Sequence, residues 1–213
     1  REVSPASDRR VVNLPEGTLN RYWDEATTPR AESYREDLAL AERAIDRDAT
    51  QLYRDVRAAC ESGWDFSSRW CRGEDLTSIR TTELIPVDLN ATLYGVERSL
   101  ARWYDAAGDA EKAERYASAA TDRAEAIDEY CWDADAGFYF DYHVSSNRRS
   151  EKWTLAAVSP LFFGFADDQQ AAAVADALEA KFLRDGGLVT TLSETGHQWD
   201  APNGWAPLHW LAV

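Results

Sequence analysis

A largely helical fold is predicted by three features of the sequence. Leu89, Leu93, Val96, Leu100, Trp103 and Ala107 recur at spacings of three and four, which marks one face of a helix starting near Val87. Ala113, Tyr116, Ala120, Ala124 and Ile127 repeat that rhythm beyond a joint made only of Gly108 and Asp109, so the two helices must form an antiparallel hairpin. A further apolar stripe, Ala171, Val174, Leu178 and Phe182, ends at Gly186-Gly187.

The remaining elements follow in order. Ser33 and Glu36 stand three apart ahead of Leu38, Leu40 and Ala44, a capping-box pattern that opens a helix running to about residues 44–47. A second helix is expected from Gln51 to Cys60; it delivers the chain to Gly63, where a turn can start, and leaves Asp65 just past the helix end. After Gly137, Phe138, Phe140, Tyr142 and Val144 alternate with Tyr139, Asp141 and His143, the pattern of a short strand or hairpin. Helix returns from Thr154 to Phe163, and residues 204–213 read as the start of another. No internal linker is visible. Successive helical hairpins without a repeated signature suit a bundle or an α/α toroid.

Composition bounds the function. A chain of 213 residues, 45% of them apolar, can bury one sizeable core. Its net charge of −15 disfavours a polyanionic partner such as nucleic acid. No run approaches the roughly 20 apolar residues that span a bilayer, and residues 1–12 are charged and polar with no secretory h-region. Cys60, Cys71 and Cys131 are odd in number and lack metal spacing. Cys60 and Cys71 flank one segment that a disulfide could span, but buried free thiols are the default, which leans toward a reducing, cytoplasmic compartment and leaves a periplasmic or secreted one open. His143, His197 and His209 are too dispersed for metal ligation, and neither a phosphate-binding glycine loop nor a Ser/His/Asp set is present.

Two tryptophan-rich segments carry the functional signal: Glu61-Ser-Gly-Trp-Asp-Phe-Ser-Ser-Arg-Trp70 and Gln198-Trp-Asp-Ala-Pro-Asn-Gly-Trp-Ala-Pro207. Indole faces fit the C–H faces of pyranose rings, while carboxylates, amides and guanidinium groups satisfy hydroxyls. Taken singly, each tryptophan is more simply a core residue needing one partner for its N–H, and Asp65 alone is more simply a turn or cap residue. Grouping Trp64, Trp70, Trp199 and Trp205 with Asp65, Asp200, Gln198 and Asn203 points to a sugar site. Asp88 and Asn90 are accounted for by capping of the helix at Val87.

These two blocks, together with Leu19-Asn-Arg-Tyr-Trp-Asp24, Thr28-Pro-Arg-Ala-Glu-Ser-Tyr34 and Thr81-Thr-Glu-Leu-Ile-Pro-Val-Asp-Leu-Asn90, resemble in order the central part of the α,α-trehalase family of glycoside hydrolases. The family pattern has proline where Ala31 stands, which affects local stiffness but not Arg30 or Glu32. The resemblance implies an (α/α)6 toroid with the active site in the loops at one end, of which residues 1–213 supply an arc with a short β-hairpin insertion, both ends lying inside a longer domain. It implies inverting hydrolysis of α,α-trehalose to two glucoses without a cofactor or metal. It places the general acid at Asp65, and substrate contacts at Arg30, Glu32, Gly63, Trp64, Arg69, Gln198, Trp199, Asp200, Asn203 and Trp205. A solvated ion pair is the plainer account of Arg30 and Glu32.

The aspartate reference pKa is about 3.9, so an acid working near neutral pH must be shifted up, and desolvation by Trp64, Phe66 and Trp70 is the expected means. Arg69 would oppose that if it faced Asp65, so it is expected to face another carboxylate or a sugar hydroxyl. The family's general base lies beyond the second block, so this chain alone is expected to be inactive. Its incomplete ring would expose apolar helix faces and tend to self-associate. Hydrolysis of another α-glucoside, or sugar binding without catalysis, are the alternatives.

Overall fold

The computed structural model describes residues 9–213; most of the charged stretch read at residues 1–12 lies outside the described residues. Two strands, β1 (Val11–Leu14) and β2 (Gly17–Asn20), form an antiparallel hairpin that the sequence pattern did not indicate. Only Val12, Leu14 and Leu19 of it are buried, too few to stand out as a period.

Helices α1 (Tyr34–Arg43) and α2 (Ala49–Ser62) follow. Ser33 occupies the N-cap of α1 but makes no side-chain cap bond, so the capping box is not formed. Asp37 fixes this helix start instead: its carboxylate turns back to accept the Arg30 backbone N–H at 2.8 Å. Helix α2 starts at Asp48, whose side chain accepts from the Thr50 backbone N–H, and stops at Gly63, whose φ of 77° is the left-handed cap conformation.

Short 3₁₀ turns and β3 (Leu84–Ile85) lead to α3 (Val87–Ala106) and α4 (Ala110–Cys131). Their antiparallel hairpin forms as predicted: Gly108 takes φ 78°, Asp109 accepts from the Lys112 backbone N–H, and Tyr104 stacks on Tyr116 at 5.6 Å. The predicted apolar face of α3 is not the buried one. Val87, Asn90, Ala91 and Tyr94 are buried, whereas Val96 and Trp103 are 48% and 68% exposed. Phe162 and Trp210, in contact at 5.1 Å, are a second exposed apolar pair.

Beyond α4, β4 (Trp132–Asp133) pairs with β5 (Phe138–Tyr139), and β6 (Tyr142–His143) lies between β3 and β7 (Arg148–Arg149). The alternation read at Phe138–Val144 is therefore split between two small sheets, and Phe138 through Tyr142 are all buried. A 3₁₀ turn and α5 (Ser159–Phe162) occupy the predicted helix after Thr154. Helix α6 (Asp168–Ala177) continues as a π-helical turn at Leu178–Phe182, burying Val174, Leu178 and Phe182. The hairpin of β8 (Leu183–Arg184) and β9 (Gly187–Leu188) turns at Asp185-Gly186, and α7 (Ala206–Ala212) follows. Among the described residues no helix is long and apolar enough to cross a membrane.

Helix α3 meets the end of α5 at Gly95, where an added Cβ would lie 2.4 Å from the Phe163 ring. Gly95→Ala gains about 1 kcal/mol of helix propensity, but relieving that overlap costs about 1–3 kcal/mol. A net loss of stability is expected, read as a lower urea midpoint with an unchanged m-value.

Candidate functional site

The two tryptophan-rich segments, some 130 residues apart in sequence, meet at one place. Their backbones join directly, Trp199 N–H donating to the Phe66 carbonyl at 3.0 Å. Asp200, fully buried, ties them again: Oδ1 accepts from Ser67 Oγ at 2.7 Å and Thr191 Oγ1 at 3.1 Å, and Oδ2 accepts from the Ser68 backbone N–H at 2.9 Å and from Thr195 Oγ1. The carboxylate thus receives donors from both sides of the junction. Hydrogen bonds to an ionised acceptor of this kind contribute about 1.5–3 kcal/mol each.

The indoles stack across the same seam. Trp64 lies 5.4 Å from Trp199, and Trp199 lies 4.4 Å from Trp205. Trp205 Nε1 and Asn203 Nδ2 both donate to the Gln198 carbonyl, and Thr190 N–H and Oγ1 donate to the Asn203 carbonyl, so the second segment is folded on itself and onto the strand-like stretch beside it.

Arg69 closes the inner side. It is 1% exposed, sits 4.5 Å from the Trp64 ring and 4.4 Å from the Trp70 ring, and makes two forked pairs: Nη1 and Nη2 to Asp88, Nε and Nη2 to Asp141, all at 2.7–2.8 Å. Burial opposes the guanidinium charge, but Asp141 and Asp88 outweigh it and hold the Arg69 pKa well above its ordinary value. Burial likewise opposes ionisation of Asp88, and Arg69 again prevails, leaving Asp88 below the usual carboxylate range. Asp141 Oδ1 also accepts the Val87 backbone N–H at 3.0 Å, capping α3 from outside its own segment. Asp88 thus serves chiefly as an ion-pair partner, not as the cap its position suggested, and Asn90 reaches out of α3 to the Asn20 backbone.

On the outer side, Asp65 is exposed, as are Gly63, Glu32, Gln198 and Asn203, while Trp199 and Trp205 are partly exposed. The rings expected to enclose Asp65 lie beneath it: Trp64 and Trp70 are 4% and 0% exposed and serve the core, Trp70 Nε1 donating to the Trp64 carbonyl. In this chain Asp65 therefore stands on an open surface. Two clefts, of about 630 and 580 Å³, lie beside β7 and between α3 and α4, and neither includes it.

Arg30 pairs with Asp37 and not with Glu32. Its Nη2 and Nε donate to Asp37 at 2.7 and 3.0 Å, Nη1 lies 3.1 Å from Cys60 Sγ, and the guanidinium covers the Phe66 ring at 5.1 Å. Burial opposes the Arg30 charge, but its bonds to Asp37 outweigh that and raise its pKa.

All three cysteines are free, and burial pushes Cys71 up to about 12. His197 and His209 contact the backbone carbonyls of Glu74 and Leu188, and no metal-binding cluster occurs among the described residues. Asp37, Asp141, Ser67, Thr191 and Thr195 had no local signal in the sequence; each is recognisable only through a partner brought to it by the fold.

Comparison with known proteins gives this surface a context. The family model Trehalase matches residues 4–213. The chain belongs to the trehalase family. It is 50% identical over 208 residues to the periplasmic trehalase of Salmonella paratyphi B, covering 97% of the chain but 36% of that protein. Among solved structures it is similar to neutral trehalase Nth1 from Saccharomyces cerevisiae, with TM-score 0.78 and 26% identity over 98% of the chain and 43% of that structure. It shares a fold with a mannosylglycerate hydrolase from Thermus thermophilus, at TM-score 0.55 and 20% identity over 90% of the chain and 41% of that structure. The helical hairpins are thus an arc of the α/α toroid of these enzymes, and the chain spans about a third of the length of the trehalases it matches.

The depressed Asp88 pKa fixes the sign of an acid response. Its contribution to stability is fully present above the unfolded value near pH 4 and is lost as pH falls through the lower folded value. Urea unfolding measured from pH 6 down to pH 2 should show falling stability, and Asp88→Asn should start lower and show a shallower acid limb.

Proposed function

We propose that this chain is the acid-bearing arc of an enzyme that hydrolyses α,α-trehalose to two glucoses. The observation that carries the reading is the exposed Asp65 at the rim of the seam where the two tryptophan-rich segments are tied together, in a chain half-identical to proteins named periplasmic trehalase.

Asp65 donates its proton to the oxygen joining the two glucose units as that bond breaks. A water molecule attacks the anomeric carbon from the opposite face, and its proton passes to a general base supplied by the part of the enzyme outside this arc. Attack from the far side inverts that centre, so one glucose leaves as the β anomer and the other as α. The same missing part would supply the opposing pocket wall and with it the desolvation that an acid near neutral pH requires.

Two groups of residues divide the remaining work. Gln198, Asn203 and Glu32 present polar groups at the surface, the Trp199 and Trp205 edges offer apolar faces, and Gly63 lets backbone come close, so these contact sugar. Arg30 presents what its pairing with Asp37 leaves free. Trp64, Arg69 and Asp200 are enclosed by protein, and they act by holding the acid-bearing loop in place. This departs from the assignment of all three as direct sugar contacts.

In the full-length protein, Asp65→Asn should lower kcat for trehalose by about 10²–10⁴-fold with little change in KM, while proton NMR of the unsubstituted enzyme should show α- and β-glucose appearing in equal amounts at early times. Near-normal turnover of the variant would refute the acid, and two α products would refute inversion. Residues 1–213 alone, purified and given trehalose, should release no glucose; measurable release in a coupled assay would place the base within this arc.

A further inference from the structure

Away from Asp65, one cleft reverses the charge of the chain. The protein carries a net charge of −15 and only three lysines. Even so, the cleft of about 340 Å³ between the β6–β7 hairpin and the Cys71-Arg72 segment is lined by Arg72, His143, Arg148, Arg149 and Lys152, and its acidic lining residue is Glu151.

The cations there are not consumed equally. Arg72 is held by Glu83 at 2.9 Å, and Lys152 makes a single long contact, 3.3 Å, with the Gly73 carbonyl. Arg149 donates through Nη2 to the Glu129 carbonyl, but its Nε is buried and has no partner. Arg148 is exposed, and its side chain has no hydrogen-bond or ion-pair partner among the described residues.

Arg148, Arg149 and Lys152 all line the cleft, and arginine recognises phosphate as a fork and lysine as a point charge. More distant charges are screened beyond about 8 Å at physiological salt; the nearer carboxylates are Glu83, already held by Arg72, and Glu129 and Asp133 across the adjoining cleft that Arg148 and Arg149 also line. The volume of the Lys152 cleft is at the small end for ligand pockets, enough for a phosphate and a body the size of one sugar.

We propose that this cleft binds a small phosphate-bearing ligand of the sugar-phosphate class, anchored by Arg148, Arg149 and Lys152. None of these residues is assigned to sugar binding at the Asp65 surface, so the proposal stands or falls independently of trehalose hydrolysis.

Calorimetric titration of the full-length protein with inorganic phosphate, and separately with glucose 6-phosphate, tests it. Saturable binding of one equivalent is expected, weakening as salt rises, and at least about tenfold weaker in the double variant Arg148→Gln, Lys152→Gln. Arg148→Lys, which keeps the charge but loses the fork, should bind more weakly than the unsubstituted protein and more tightly than the double variant, and far-UV circular dichroism should be unchanged in both. Tighter binding of glucose 6-phosphate than of phosphate would show that the sugar body is held as well; equal binding would support the phosphate anchor alone. No saturable heat with either probe, or undiminished binding by the folded double variant, would overturn the proposal.

Discussion

The buried guanidinium of Arg69 is the constraint around which this arc is organised. It joins three pieces of chain that no local interaction would bring together: the loop after α2, the first turn of α3 through Asp88, and the turn between β5 and β6 through Asp141. Burying the charge is costly, and the two forked pairs offset that cost only while all three pieces keep their places. Removing Arg69 would leave two carboxylates facing each other without a counter-charge, whereas removing either aspartate would leave a single ion pair and untie one of the three pieces. Two tryptophan faces cover the cation on either side, so packing and charge pairing impose the same geometry.

Asp200 repeats the device on the other flank with neutral donors. Its carboxylate collects two hydroxyls from the second half of the chain and a hydroxyl and an amide from the first. Both flanks converge on residues 67–69, immediately after Phe66. Helix α2 and its Gly63 cap approach the same loop from the amino-terminal side. The candidate acid is therefore carried on a short span fixed at both ends.

Elements marked by local signals were legible in the sequence: the α3–α4 hairpin through its Gly108 joint, the α2 stop through Gly63, and the run through Phe182 through its apolar spacing. Elements fixed by distant partners were not. Ser33 had the spacing of a capping box, but the carboxylate that secures this turn belongs to Asp37 and is committed to Arg30. Asp88 looked like a cap because the ion pair that claims it spans 19 residues. The apolar stripe of α3 was real as a pattern, but the described residues cover only part of it, and Trp103 stays largely exposed. That the two tryptophan-rich segments belong together was legible for a different reason. Each gathers two tryptophans, a glycine and an aspartate in ten residues, whereas the separation of Arg69 and Asp200 from their exposed neighbours depends on burial, which no spacing reveals.

One consequence concerns the indole ladder from Trp64 through Trp199 to Trp205. A flexible acidic loop would have to surrender its freedom each time a disaccharide arrived, and that loss would weaken every encounter. Here the freezing happens once, during folding, and the stacked rings keep it frozen. The backbone that carries Asp65 is therefore ordered by the fold itself, before any ligand arrives.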